Sequence, residues 1–365
     1  MATNRNEKAI DLALQSLYES YGYSLFNMSK FEEYELYAQN KNFLLSSHVI
    51  TFTDTTGRLM ALKPDVTLAI VKNTKDEPNR RKKLYYTESV YRVSQKSSTF
   101  REIQQSGVEC LGDVDALALS EILQMAKESL DVVSPDSILT VSSLDLIDLA
   151  VKALGTPQNR EGDILDCVGE KNRHGIDEIL TEEGIPTEKG AFLKALLQNY
   201  GAPSKVLPRI APYCTSDEAK AVLENFERIL SALDTKGIVV DFSTLGDMRY
   251  YTGIVFRGYI NGIAEAVLSG GEYNRLMQKM QKKSRAVGFA VYLDLFDEFG
   301  KEIPAYDFDA LILYTDDTAA DATKAARKLR QKGLSVATEK EIPDTARFET
   351  IYTVKKGGEL CETHA

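Results

Sequence analysis

Arg92, Arg101, Gln105 and Glu109 are the residues whose types and spacing best suit chemistry, and the chemistry they offer is ligand binding. They lie in KKLYYTESVYRVSQKSSTFREIQQSGVECLG, residues 82–112. Leu84 to Arg92 is rich in Tyr, Val and Thr, which fit a pleated surface, and Ser94 to Thr99 holds no apolar residue. The stretch predicts two strands joined by a polar loop. Along the second strand, Phe100 to Leu111, alternation puts Arg101, Ile103, Gln105, Gly107, Glu109 and Leu111 on one face. A cationic pair, an amide and a carboxylate are costly to bury unless they bind one another or a ligand. The same pattern also fits the solvated outer face of an antiparallel sheet.

Other segments must bring partners to that face. In Leu62-Lys63-Pro64-Asp65-Val66-Thr67, Pro64 suits a first helical turn, with Leu68 to Val71 continuing the helix. Asp65 and Thr67 have side-chain oxygens able to reach a bound ammonium, or simply to cap the helix. Tyr250, Tyr251 and Tyr273 can fill volume and offer hydroxyls, or pack as ordinary strand residues. Strands are expected at Tyr250–Tyr259 and Ile263–Ser269 around an Asn261-Gly262 hairpin turn. Gly270-Gly271 allows close approach to a ligand, or a bulge.

The supporting elements read clearly. Ile10, Leu14, Leu17 and Tyr21 form the stripe of a helix over residues 6–22. Val49–Thr53 and Met60–Lys63 read as strands around a turn at Thr55-Thr56-Gly57, and Ile138–Val141 as a buried strand. Asp115 to Leu130 is a helix with Leu119, Ile122, Ala126 and Leu130 on one face. Residues from about 145 to 236 are helical, broken at three Gly/Pro-containing points, and read as an inserted subdomain. Ala305 to Ala365 has a βαβ pattern. The fold class is therefore α+β: residues 1–300 with the insertion, then a small α/β domain over 305–365.

At 365 residues, with 43% apolar and 27% charged, the chain suits a soluble globular protein. No run approaches a membrane span, MATNRNEKAIDLAL lacks a signal-peptide core, and the scattered cysteines suit a reducing compartment, so a cytoplasmic location is expected. Cys110, Cys167, Cys214 and Cys361 form no CxxC pair, and His48, His174 and His364 do not cluster. Neither a disulfide framework, a metal site nor a cofactor is expected. Net charge is −10, divided as +2 over residues 1–112 and −12 over the remainder. That balance argues against tRNA as a partner. Arg80-Arg81-Lys82-Lys83 reads as a solvated loop rather than a nucleic-acid contact.

The motifs resemble a known family. YRVSQKSSTFREIQQSGVECLG resembles motif 2 of the class II aminoacyl-tRNA synthetases in its histidyl version. The resemblance implies that Arg92 would meet an ATP α-phosphate and that Gln105 and Glu109 would hold the amino acid. LKPDVT is similar to the LRP(E/D)xT element, implying that Asp65 and Thr67 help seat histidine, with Lys63 replacing the usual Arg. Residues 245–277 are similar to RG(L/M)DYYTGxVFE followed by GGRYDxL, placing Tyr250, Tyr251 and Tyr273 in the histidine pocket. The family's catalytic Arg in that element falls on Gly246, and Arg249 lies at an odd offset that points the other way. The third motif, G-F-A-x-G-x-E-R, reads Gly288-Phe289-Ala290-Val291-Tyr292-Leu293-Asp294-Leu295, so Tyr292 would obstruct the adenine slot and Leu295 offers no charge. Adenylation depends on preorganised cations at the phosphates. The last segment resembles a shortened anticodon-binding domain, which should read tRNA poorly.

Kept pocket residues and lost ATP cations also resemble a paralogous family, the regulatory subunits of short-form ATP phosphoribosyltransferase, the first enzyme of histidine biosynthesis. That resemblance implies no catalytic residue, a homodimer within a hetero-octamer with the catalytic subunit, and histidine feedback. No tRNA or membrane partner is expected. Whether histidine would bind the old pocket or the subunit interface is left open. The alternatives are a divergent histidyl-tRNA synthetase, against which Gly246 and Leu295 argue, and a free-standing paralogue acting on a protein or small molecule.

Overall fold

A computed structural model of the chain describes residues 5–40, 49–93, 99–246, 248, 250–296, 306–343 and 346–363. His48, Arg249, His364 and most of the Ser94–Thr99 loop lie outside the described residues. The chain divides into two compact units, Met1–Phe299 and Gly300–Ala365.

The first unit opens with α1 (Arg5–Ser20), β1 (Ser24–Leu25), β2 (Phe31–Glu33), α2 (Tyr34–Gln39), β3 (Thr51–Thr53) and β4 (Leu59–Leu62). Then come α3 (Val66–Asn73), β5 (Lys82–Val93), β6 (Phe100–Gly112), α4 (Ala116–Val133) and β7 (Ser137–Ser143). A helical run follows: α5 (Leu144–Leu154), α6 (Glu161–Gly169), α7 (Arg173–Glu182), α8 (Ala191–Gln198), α9 (Pro203–Ile210) and α10 (Asp217–Ser231). The sheet resumes with β8 (Ile238–Val240), β9 (Thr252–Ile260), β10 (Leu268–Glu272), α11 (Asn274–Lys279) and β11 (Arg285–Tyr292). Eight strands form one sheet in the order β1-β5-β6-β11-β10-β9-β7-β8, and β2-β4-β3 form a small one. In the second unit, β12 (Phe308–Leu313), α12 (Ala319–Gln331), β13 (Val336–Glu339), β14 (Phe348–Val354) and β15 (Leu360–Glu362) build a sheet ordered β13-β12-β14-β15.

The large sheet is asymmetric between its faces. One face carries the main core, in which Val108, Val287, Phe289 and Val291 pack with α1, α4 and the helical run. In α1 the buried stripe is Ile10, Leu14 and Tyr18, with Leu17, and Tyr21 just past the helix end, only partly covered. In α4, Leu119, Ile122, Ala126 and Leu130 are all buried. The opposite face holds a smaller cluster in which Tyr86, Tyr250 and Tyr273 meet α3. Polar groups share that face, and there the site lies.

Several local expectations change. Ile138 is 46% exposed while Leu139 and Val141 are buried, so β7 alternates rather than being buried throughout. Residues 263–267 are not a strand. Asn261 is tied to Asp136 through both its backbone and side chain, at 3.1 and 2.8 Å, which holds the chain in a wider connection than a two-residue turn. Pro64 precedes the N-cap of α3 instead of occupying its first turn. The basic cluster is not a solvated loop: Lys82 and Lys83 begin β5, Lys83 pairs with Glu121 at 2.9 Å, and Arg81 with Asp115 at 2.9 Å. His174 is exposed on α7 beside Glu178.

Candidate functional site

The site starts from the β5–β6 hairpin, whose register fixes what shares a face. Leu84 stands opposite Glu109, Tyr86 opposite Gly107 and Glu88 opposite Gln105. On the other side of β6, β11 places Gly288 opposite Glu109 and Tyr292 opposite Gln105. Directly opposed residues project to the same side, so Gln105 and Glu109 rise from the centre of the sheet. Gly288 is what leaves room for the Glu109 side chain: a Cβ there would lie 1.9 Å from Glu109 Oε2.

Above this floor, α3 supplies the acid and hydroxyl. Asp65 is the N-cap, accepting the Leu68 N–H through Oδ1 at 2.8 Å, and it also faces the cavity. Thr67, the second residue of α3, donates its hydroxyl to Glu109 Oε1 at 2.6 Å. Tyr273, at the end of β10, donates to Glu109 Oε2 at 2.5 Å. The Tyr250 ring sits edge-on to Tyr251, with centroids 4.8 Å apart, and 6.0 Å from the Tyr273 ring. Arg92 donates from Nε to the Pro64 carbonyl at 3.0 Å, which fastens the guanidinium beside the start of α3. Lys63, in the place of the family's Arg, is fully buried and pairs with Glu88 at 2.8 Å.

The structure brings Asp65, Thr67, Arg92, Gln105, Glu109, Tyr250, Tyr251 and Tyr273 to the walls of one cavity. Arg101 is exposed and is not among its lining residues. Gly270 and Gly271 serve packing there. Added Cβ atoms would lie 2.5 Å from Phe289 Cβ and 2.7 Å from Tyr251 Cδ1, and the register shifts between Gly271 and Glu272 as in a bulge. Sequence reasoning missed Tyr86 and Ser269, which also line the cavity. The hairpin pairing, had its register been followed back along β5, would have placed Tyr86 over Gly107.

Burial dominates the electrostatics. Glu109 is 2% exposed, and loss of solvent pushes its carboxyl up to about 8, against the opposing pull of Thr67 and Tyr273. Burial also raises Asp65, opposed by the Leu68 N–H and then by Arg92. A carboxyl with a raised folded pKa binds more protons folded than unfolded, so its contribution to stability falls as pH rises from about 4.5 toward 8. Thermal melts of wild type and Glu109→Gln across pH 5–9 should therefore show the wild type losing ground to the variant as pH rises. Parallel curves would mean that Glu109 titrates normally.

Two positions that differ from the family's motifs are packed as follows. Gly246 has φ +60°, and a Cβ there would lie 2.9 Å from Tyr251 Cδ2 and from Val255 Cγ2. Leu295 lies in a 3-10 turn, Leu293–Phe296, and packs against the main core. Tyr292, opposite Gln105 across the β6–β11 pairing, lines the cavity.

The histidyl-tRNA synthetase family model matches residues 2–295. The chain belongs to the histidyl-tRNA synthetase family. Its fold is that of the class II synthetases, a mixed, mostly antiparallel sheet flanked by helices with a separate small C-terminal sheet. Among relatives of this family, a protein from Thermoanaerobacter pseudethanolicus named ATP phosphoribosyltransferase regulatory subunit is 28% identical over 341 residues, covering 90% of this chain and 88% of that protein. A solved ATP phosphoribosyltransferase regulatory subunit/histidyl-tRNA synthetase from Bacillus halodurans is similar in structure, with a TM-score of 0.76 at 22% identity, over 93% of this chain and 90% of that one. A chain of an ATP phosphoribosyl transferase complex from Thermotoga maritima gives 0.62 at 19% identity, over 80% and 98%.

Proposed function

We infer that this chain is the non-catalytic regulatory subunit of an ATP phosphoribosyltransferase. The observation that carries this is a divided site. The groups suited to an amino acid surround one cavity, while Gly246 and Leu295 stand where the family's ATP cations belong. The names of the relatives from Thermoanaerobacter and Bacillus support the same reading. Phosphoryl and adenylyl transfer rest on positioned cations, and each missing one costs orders of magnitude in rate. A regulator needs only differential contacts with two states of its partner.

In this reading histidine occupies the old synthetase cavity, with Glu109, Asp65 and Gln105 as its polar partners and the tyrosines as its walls. The partner is the short-form catalytic subunit, in a hetero-octamer built with dimers of this chain, acting in the cytoplasm in histidine biosynthesis. Each unit keeps its place from the resemblance: 1–300 as the synthetase-like domain and 305–365 as the anticodon-type remnant.

The test is phosphoribosyl-ATP formation from ATP and phosphoribosyl pyrophosphate by a short-form catalytic subunit from the same source. Activity should appear only when this chain is added and should fall when histidine is added. An unchanged rate in the mixture would overturn the assignment, and charging of tRNA with histidine would then test the synthetase alternative.

A further inference from the structure

Arg257 has no part in the site as described so far. It lies on β9, half-buried, with its Cα opposite Ser269, a residue of the cavity wall. In RG(L/M)DYYTGxVFE the corresponding position is Glu, so the chain reverses the charge there. Strands β5 and β9, which carry Arg92 and Arg257, each lie two strands from β11, which carries Tyr292. At ordinary strand spacing that is about 10 Å on either side, within reach of an extended arginine. Among the described residues neither arginine makes a salt bridge; Arg92 donates to the Pro64 carbonyl and lies within electrostatic range of Asp65.

Asp65 acts electrostatically on Arg92, but a second half-buried guanidinium on the same face adds positive charge there, and the arrangement becomes more favourable when an anion arrives. The guanidinium fork suits the two oxygens of a carboxylate or phosphate. Arg92 lines the cavity; Arg257 is not among its lining residues but lies on the Ser269 side of the sheet. Both arginines act on the Tyr292 hydroxyl, and Ser269 is within hydrogen-bonding reach of it.

We propose that Arg92 and Arg257 form a clamp for an oxyanion beside Tyr292 and Ser269, and that it takes the α-carboxylate of the amino acid whose cationic end faces Glu109. This rests on the amino-acid reading of the cavity, and it supplies from β9 the positive charge that Gly246 cannot.

Calorimetry of the full chain tests it with three probes: histidine, histamine (the same ring and ammonium without the carboxylate) and inorganic pyrophosphate. Arg257→Gln should weaken histidine at least tenfold and leave histamine unchanged. Arg257→Glu, which restores the family's charge, should weaken histidine further. Arg257→Lys, which keeps charge and bulk, should fall between wild type and Gln and serves if Arg257→Gln does not fold. Equal weakening of histidine and histamine would make Arg257 merely structural and overturn the clamp. Unchanged binding of both histidine and pyrophosphate in the variants would also overturn it, as would a wild type that binds neither. Pyrophosphate binding that depends on Arg257, in a chain that ignores histidine, would keep the clamp, assign it to a free phosphate group and remove the amino-acid reading.

Discussion

Glu109→Gln should lose about 100-fold or more in histidine affinity while the unliganded protein melts at the same temperature or higher. The carboxylate is buried and receives the Thr67 and Tyr273 hydroxyls, so its geometry is fixed before any ligand arrives. A hydrogen bond from a cationic group to a carboxylate contributes about 1.5–3 kcal/mol, and about 2.7 kcal/mol corresponds to a hundredfold in affinity. An amide of the same shape offers no charge to an ammonium or imidazolium. In the free protein the carboxyl, pushed up to about 8, is mostly protonated at neutral pH, so Gln resembles the form already present. Calorimetry with histidine and a thermal melt of the same sample decide the matter. Unchanged affinity would place the ligand elsewhere, and a melt lowered by many degrees would make Glu109 a structural group. The expected pattern, binding lost and stability kept, is the usual mark of a site in which function opposes stability.

Gly288→Ala should be the most damaging small substitution in the site, lowering the melting temperature by about 5–10 °C. Its Cβ would lie 1.9 Å from Glu109 Oε2 and 2.5 Å from the Val108 carbonyl. The first neighbour is the end of a side chain and can move. The second is backbone, and moving it disturbs the pairing of β6 with β11, which runs from Gly112–Arg285 to Gln105–Tyr292. Overpacking of this kind costs about 1–3 kcal/mol or more. Gly162→Ala is the control, since a Cβ there meets nothing within 4 Å and the residue lies in α6, so stability should hold or rise slightly. Combining Gly288→Ala with Glu109→Ala should recover part of the loss, because one of the two clashes is removed. No recovery would show that the Val108 carbonyl alone sets the cost.

Much of the site could be read before the fold was known, for a physical reason. A strand alternates with a period of two, so the spacing from Gln105 to Glu109 put them on one face wherever the strand lay. The α4 stripe was equally plain, since Leu119, Ile122, Ala126 and Leu130 follow the helical repeat. The β9–β10 connection was misread because Asn261 is held by Asp136, more than a hundred residues away, and a local turn preference yields to such a tether. Arg257 was passed over because a charge on a strand means little until its neighbours are known. Once Ser269 is found opposite, the same residue is placed on the cavity side of the sheet.

The sequence by itself determined the chemistry of each segment: an amide and carboxylate on β6, an acid and hydroxyl at the start of α3, and tyrosines on either side of β9 and β10. These follow from dihedral preferences and side-chain periodicity within a few residues, and they do not depend on the rest of the chain. Tertiary structure alone decided that Thr67 and Tyr273 meet on one carboxylate from 42 and 164 residues away. It also decided that β11 runs between β6 and β10 and brings Gly288 and Tyr292 to the same cavity. Strand order is set by which apolar faces can be buried together after long loops close, and that balance belongs to the whole chain.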